Sequence, residues 1–382
     1  MIYLDNAATS WPKPPVVLKA MADAMEQAGG NPGRSGHRLS IAAARIMFDT
    51  RDELAGFFGI HDPLRVIFTA NATYALNLAL NGLLKPGDKV VTTSIDHNAV
   101  RRPLRHLEKH GIHLDIVSCA ADGSLDVSAM TRHIDAATRL VIITHASNVV
   151  GTILPVSAVA EIAHHAGALL LVDAAQTAGV LPINMTEMGI DLLAFTGHKE
   201  LLGPPGIGGL VMADTFEVSR LETMVRGGTG SLSELEEQPD DLPDKFESGT
   251  ANLVGIAGLG AGLRYVKERN LEQIGEYFKK ITRILIQDLS VIPEIRLYGT
   301  LDAEQAVSVV SFTAAGRRVS EIGMRLDDEF GILSRVGLHC APAAHRTIGS
   351  FPEGTVRLSP GSFTTIDDIK KAVQAISEVV KT

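Results

Sequence analysis

The chain has 382 residues, enough for two domains rather than one simple core, and 45% of them are hydrophobic. Its formal charge is -9, with Lys+Arg 35 against Asp+Glu 44 and no polybasic tail, which argues against nucleic acid or an anionic membrane as partner. Two cysteines far apart, Cys119 and Cys340, suit a reducing cytoplasm rather than a disulfide framework. The opening Met1-Ile2-Tyr3-Leu4-Asp5-Asn6 turns polar too soon for a signal peptide, and apolar runs such as residues 168–172 are strand-sized.

Pro12, Pro14 and Pro15 bar regular structure before Val16, and the spacing predicts a helix over 16–27 that ends at Gly29-Gly30. The loop Asn31-Pro32-Gly33-Arg34-Ser35-Gly36-His37-Arg38 is cationic and reads as a solvated surface loop, with contact to an anionic ligand as the alternative. Ser40 is expected to cap a long helix reaching about Phe58. From Arg65 the chain alternates. Strands are predicted at 66–69, 90–93, 114–117, 140–144, 168–172, 192–195 and 209–212. Helices fall between them at 73–83, 97–110 (capped by Asp96), 128–134 and 156–165. Short Val/Ile/Leu runs separated by helices indicate an α/β fold whose mainly parallel sheet, of the seven-stranded type, is covered on both faces. A polar loop over 227–244 and a helix over 256–269 follow. Long helices over 271–290, 319–330 and 366–380, with strands at 308–312 and 356–359, then read as a smaller α+β domain. The expected division is a large domain over 16–262 and a small domain made of 1–15 and 263–382.

In such sheets ligands sit beyond the C-terminal strand ends. Thr73, His97, Asn148, Asp173 and Lys199 all fall just after predicted strands. Lys199 ends the stretch Leu193-Ala194-Phe195-Thr196-Gly197-His198-Lys199, a buried strand followed by a tight turn. Lysine amines condense with carbonyls once their pKa is lowered. Asp173 can pair with a protonated pyridine nitrogen and keep such a ring electron-poor. Gln176 can bond a ring oxygen. Ala72 and Thr73 open a helix, whose free N–H groups favour a phosphate, and Thr196 and His198 can add donors. His97 can stack on a ring face. Singly each residue has an ordinary role: Thr73 as a helix cap, Gln176 as a loop hydrogen bonder, His97 or His198 as a satisfied buried histidine. Jointly they describe a pyridoxal 5'-phosphate site.

Other cofactor signals are poor. Gly203-Pro204-Pro205-Gly206-Ile207-Gly208-Gly209 lacks G-x-G-x-x-G spacing, there is no Walker motif, and no His or Cys spacing suggests a metal. Cys340 sits among Arg335, Gly337, His339 and Ala341-Pro342, cationic and turn-forming surroundings that favour an exposed thiolate, whereas Cys119 reads as a buried hydrophobe. Arg357 can clamp a substrate carboxylate or serve as a strand-edge ion pair.

With these residues in view, the chain resembles the cysteine desulfurases of the class V aminotransferase family almost end to end, from Tyr3-Leu4-Asp5-Asn6-Ala7-Ala8 to Arg357. The resemblance is carried by Thr144-His145-Ala146-Ser147-Asn148-Val149-Val150-Gly151-Thr152, Asp173-Ala174-Ala175-Gln176, Thr196-Gly197-His198-Lys199 and Arg335-Val336-Gly337-Leu338-His339-Cys340. It implies fold type I of the pyridoxal phosphate enzymes, a homodimer, and a Thr250 that reaches the phosphate of the neighbouring subunit. It implies catalysis by Lys199, Cys340 and His97, with L-cysteine held by Arg335, Arg357 and Asn148. The products are then alanine and a persulfide on Cys340, destined for a sulfur-acceptor protein and iron-sulfur cluster assembly in the cytoplasm. Alternatives are a selenocysteine lyase, an aminotransferase or epimerase that does not use Cys340, and a sulfur-carrier scaffold that does not need Lys199. The chain departs from the family pattern in three places, the loop Arg226-Gly227-Gly228-Thr229-Gly230 differing in detail. Asn71-Ala72-Thr73-Tyr74 stands where a Thr-Thr-Glu phosphate turn is usual, and Asn98-Ala99-Val100-Arg101-Arg102-Pro103 after His97 is more basic than expected.

Overall fold

The computed structural model describes every residue except Arg34, Ser233, Leu235 and Thr382, so Arg34 of the cationic loop lies outside the described residues. In chain order, the first part contains β1 (Ile2–Tyr3), α1 (Pro15–Gln27), α2 (Arg38–Phe58), β2 (Val66–Thr69), α3 (Ala72–Leu83), β3 (Lys89–Thr93), α4 (Asn98–Glu108), β4 (His113–Val117) and α5 (Val127–His133). It continues with β5 (Thr138–Thr144), α6 (Val156–His165), β6 (Leu169–Asp173), α7 (Met185–Met188), β7 (Leu192–Thr196), β8 (Gly208–Met212) and α8 (Leu253–Glu268). The remainder is α9 (Leu271–Ser290), β9 (Ile295–Tyr298), β10 (Val310–Ala314), α10 (Val319–Phe330), β11 (Ile332–Leu333), β12 (Arg335–Gly337), α11 (Pro342–Ile348), β13 (Thr355–Leu358) and α12 (Ile366–Lys381).

Seven strands form the main sheet in the order β2-β8-β7-β6-β5-β3-β4. Strand β8 is antiparallel to both its neighbours, and the pairs from β7 through to β4 are parallel. All five residues of β6, β7 and β8 are buried, as a sheet with helices on both faces requires. The α/β expectation with a seven-stranded sheet therefore holds. The registers bring Thr69, Thr196 and Gly208 to one edge, with Thr144 and Asp173 beside them. That edge is where the site forms.

A four-stranded antiparallel sheet, β12-β13-β10-β9, was only half visible in the sequence. Strands β9 and β12 are four and three residues long, with no buried alternation to announce them. Phe278, Phe312, Leu358 and Ile376 belong to the hydrophobic core beside this sheet, separate from the core around Leu76, Val90, Leu171 and Phe195. The N-terminal segment joins it, since β1 pairs in parallel with β11.

Three helix starts differ from expectation. Helix α1 begins on Pro15 itself, because the first turn needs no N–H there and the ring presets φ. His37, not Ser40, caps α2, taking the Ser40 N–H on its ring, while the Ser40 hydroxyl donates to the Asn31 carbonyl. Asp96 does not cap α4. It is fully buried and accepts from the Thr92 and Thr93 hydroxyls and the Thr93 and Thr144 amides, tying the ends of β3 and β5 together. His97 takes the cap position.

Arg51 of α2 reaches across to Glu247 with two hydrogen bonds of 2.8 and 2.9 Å and also donates to the Val66 carbonyl. Glu247 accepts in turn from the Phe68 amide, and the Arg51 guanidinium lies 4.5 Å over the Phe68 ring. This nearly buried pair anchors the segment that leads to Thr250. Removing one partner strands a buried charge, so Arg51→Leu is expected to lower the unfolding free energy by about 3–5 kcal/mol. A shifted urea midpoint at unchanged slope reads this out, and a midpoint equal to the parent's contradicts it.

Candidate active site

Lys199 is held by its own turn. Gly197 N–H donates to the Ile207 carbonyl at 2.9 Å, Leu202 N–H to the Lys199 carbonyl at 2.8 Å and Gly203 N–H to the Gly197 carbonyl at 2.8 Å. A Cβ on Gly197 would stand 3.0 Å from Ile207 Cγ2, so the close return of the chain favours glycine there. From the other side the Ser10 hydroxyl donates to the Lys199 carbonyl at 2.6 Å. The side chain enters a cavity of about 200 Å³. Burial pulls its pKa down to about 8; Arg357 and Arg335 push the same way, and Asp173 and Cys340 oppose.

The cavity gathers eleven of the site residues singled out above, Lys199 included, around one space. Ala72, Thr73, His97, Asn148, Asp173, Gln176, Thr196, His198, Arg335 and Arg357 line it with the lysine. Asp173 ends β6, is 4% exposed, and accepts from the Ala175 amide at 3.0 Å. Burial raises its carboxyl pKa, with the Lys199 amine and that hydrogen bond opposing. Gln176 donates to the Ala7 carbonyl at 3.1 Å. His97 takes the Ala99 amide on Nδ1 at 3.0 Å, which assigns its proton to Nε2. Burial and the nearby cations Lys199 and Arg335 lower its pKa to about 4, so the ring is neutral at pH 7. His198 is lowered to about 4 by burial and by Lys199 and Lys13.

Arg357 is 1% exposed. It donates to the Asn148 carbonyl at 2.9 Å and to Asp5 at 2.7 Å, leaving Nε buried and without a partner. The Asn148 side chain donates to the His339 carbonyl at 2.7 Å. One residue therefore touches both the arginine and the loop that carries Cys340. That loop runs through two left-handed residues, His339 at φ 47 and Cys340 at φ 59, an uncommon pair for residues with a Cβ. It is closed by Ala341 N–H to the Leu338 carbonyl at 2.8 Å and fastened by Asn98 N–H to the Cys340 carbonyl at 2.9 Å. Cys340 is exposed, with Arg335 Nη2 3.5 Å from Sγ.

Cys340 does not line the lysine cavity. It lines an adjoining open cleft, and Thr73, His97 and Ala99 line both spaces. Thr250 is exposed and lies outside both linings. The sequence reading also missed residues. Asp5, Ala7, Thr144 and His339 help build the site, and Asp5 and Arg357 meet across 352 positions of chain, a distance at which no spacing rule gives a signal.

Residues 2–372 match the family described as Aminotransferase class-V. The chain belongs to the class-V aminotransferase family. It is 33% identical over 383 residues to a probable cysteine desulfurase of Methanothermobacter thermautotrophicus, covering 99% of this chain and 94% of that one. It is 31% identical over 388 residues to a cysteine desulfurase of Pectobacterium atrosepticum, covering 99% and 93%. Among solved structures, an apo cysteine desulfurase of Thermococcus onnurineus superposes with a TM-score of 0.93 at 33% identity, covering 100% and 94%. A cysteine desulfurase of Escherichia coli superposes with a TM-score of 0.87 at 25% identity, covering 99% and 94%.

Enzymes of this family depend on pyridoxal phosphate, and the cavity suits that group. The α3 N-terminus opens into it with the Ala72 and Thr73 amides outside the helical ladder, and the Thr196 hydroxyl is buried there without a partner. Gly208 keeps the wall close, since a Cβ there would meet the Asn71 backbone at 2.9 Å. Asp173 is a buried carboxyl in the same lining, a group that would suit a cationic ring nitrogen. The lysine's lowered pKa gives a test. Below about 8 the amine is protonated and has no lone pair; above it the lone pair is free. Cofactor-free protein is expected to take up pyridoxal phosphate faster as pH rises from about 7 to about 9. Stopped-flow absorbance measures this, and a rate flat across that window contradicts it.

Proposed function

We propose that this protein is a cysteine desulfurase that converts L-cysteine to L-alanine and moves the sulfur onto Cys340. The observation that carries the reading is an exposed thiol, 3.5 Å from an arginine, on a loop bonded to Asn148, the residue that also receives Arg357. A family member that only exchanged amino groups would have no use for that loop.

In this reading the Ala72 and Thr73 amides, Thr196 and His198 hold the cofactor phosphate, Asp173 faces the ring nitrogen, Gln176 the ring oxygen and His97 the ring face. When bound at Lys199, pyridoxal phosphate supplies an electron sink for charge developing at the substrate Cα. Arg357, Arg335 and Asn148 hold the substrate carboxylate; the free Nε of Arg357 is a donor in waiting. The Lys199 amine takes the Cα proton, and its pKa of about 8 suits a base working near neutrality. His97, protonated on Nε2, assists proton transfer at the substrate thiol. The Cys340 thiolate attacks the substrate sulfur. The Cβ–S bond breaks with its electron pair going to Cβ, which takes a proton to give alanine, and Cys340 keeps the sulfur as a persulfide.

The proposal includes a homodimer in which Thr250 serves the neighbouring site. An exposed Thr250 away from its own cavity, and exposed apolar residues on α1 and α2 such as Leu18, Met25, Ile41 and Phe48, support that part. It includes the large domain over 16–262 and the small domain of 1–15 and 263–382, supported by the two separate cores. It also includes a sulfur-acceptor protein, iron-sulfur cluster assembly as the destination and a cytoplasmic location. Both cysteines are free, and among the described residues no helix is long and apolar enough to cross a membrane. The test is to incubate cofactor-loaded protein with cysteine and a reductant and to measure alanine and sulfide. Equal amounts of the two support the reading; pyruvate, racemised cysteine or no turnover overturns it.

A further inference from the structure

The basic run after His97 is the sequence feature that the reaction does not use. Helix α4 carries Arg101, Arg102, Arg105 and His106 against one carboxylate, Glu108, in a chain of net charge -9. Glu108 is already bonded to Arg105 at 2.6 Å. Arg102 and His106, one turn apart and exposed, line the same cleft as Cys340, together with the carboxamide residues Asn77 and Asn81 of α3. No Asp or Glu is among the described residues that line this cleft.

The positive surface continues past the cleft. Arg101 feels the charges of Asp96, which is buried, and of Arg105, Glu108 and Arg346. Arg346 is exposed on α11, the helix that follows the Cys340 loop, with its guanidinium 4.2 Å over the Phe351 ring. Cys340 thus sits between the basic helix α4, whose Asn98 amide holds its carbonyl, and α11, whose one exposed cation is Arg346, with Arg335 beside its sulfur. Arg105 and Arg346 lie outside the cleft lining.

We infer that α4 and α11 form a docking surface for an acidic protein segment whose cysteine takes the sulfur from Cys340; this rests on the desulfurase reading above. The acceptor's thiolate attacks the outer sulfur of the Cys340 persulfide. The S–S bond breaks, its electron pair leaves on Cys340 Sγ, and the acceptor carries the persulfide away. No oxidant or reductant is needed. Complementary charge steers the two thiol sites together and disfavours basic partners.

The experiment starts from cofactor-loaded protein treated with cysteine and desalted, with one added sulfur on Cys340 verified by mass. Protein without that sulfur overturns both the desulfurase reading and this inference. Transfer is then timed to two synthetic single-cysteine peptides, one flanked by aspartates and one by lysines. Each rate is divided by that peptide's rate with a small neutral disulfide, which removes differences in thiol reactivity. The aspartate peptide is expected to be faster by about tenfold or more at low salt, with the ratio falling towards one at about 0.5 M salt. Arg102→Glu with Arg346→Glu is expected to abolish the preference, and Arg102→Gln with Arg346→Gln to reduce it. Equal corrected rates for the two peptides, or a preference that neither salt nor these substitutions alter, overturns the inference.

Discussion

Lys199→Ala is expected to slow alanine formation from cysteine by about 10⁴-fold, equivalent to about 5.5 kcal/mol of transition-state stabilisation. The substitution removes at once the covalent anchor of the cofactor and the base that takes the Cα proton. Lys13, which reaches the same turn, is not free to replace it, because its amine donates to the Ser10 hydroxyl and the His198 carbonyl, at 2.7 Å each. The variant is expected to fold, since the hydrogen bonds that hold the turn use the Lys199 backbone and not its side chain. Steady-state alanine assays beside an unfolding curve separate the two effects. A folded Lys199→Ala protein that retains more than about a tenth of parent activity contradicts the assignment.

Cys340→Ala is expected to behave differently. Cofactor uptake and its absorbance should match the parent, because Cys340 lies in the adjoining cleft and not in the lysine cavity. Alanine formation should fall by at least about 10²-fold, since the sulfur then has no acceptor. The remaining cysteine cannot substitute. Cys119 is buried, and burial followed by the neighbouring Asp96 charge pushes its thiol up to about 11, so it stays protonated at neutral pH. A Cys340→Ala protein that makes alanine at the parent rate would return the chain to the aminotransferase or epimerase alternative.

Much of the architecture could be read before any coordinates, and the physical reason is local. Strands β5, β6 and β7 are mainly apolar runs buried on both faces, and a Gly-containing turn or loop follows each. Residues just after such strands are brought to one edge by the parallel registers, so Asp173 and Lys199 could be paired from their positions alone. What was not legible depends on partners distant in sequence. Asp96 stands just before α4, as a helix cap would, yet four donors from two strand ends claim its carboxylate, and nothing in its neighbours announces Thr144. Asp5 holds Arg357 and Ala7 receives Gln176, contacts made where the N-terminal segment pairs with β11 and is held by Ser359. Asn148 reads as a substrate ligand, and the fold adds a contact that its position does not announce, from its side chain to the His339 carbonyl of the Cys340 loop. The split of the site into an inner cavity for Lys199 and an outer cleft for Cys340 is likewise a product of the tertiary fold.

The central claim is that sulfur leaves the substrate onto Cys340. The most direct measurement reacts cofactor-loaded protein with one equivalent of cysteine, traps thiols and persulfides with an alkylating agent, and maps the peptides by mass. The account predicts one added sulfur on the peptide containing Cys340, none on the peptide containing Cys119, and alanine in equal amount. Alanine released with no added sulfur on Cys340, or with the sulfur on Cys119, would contradict it.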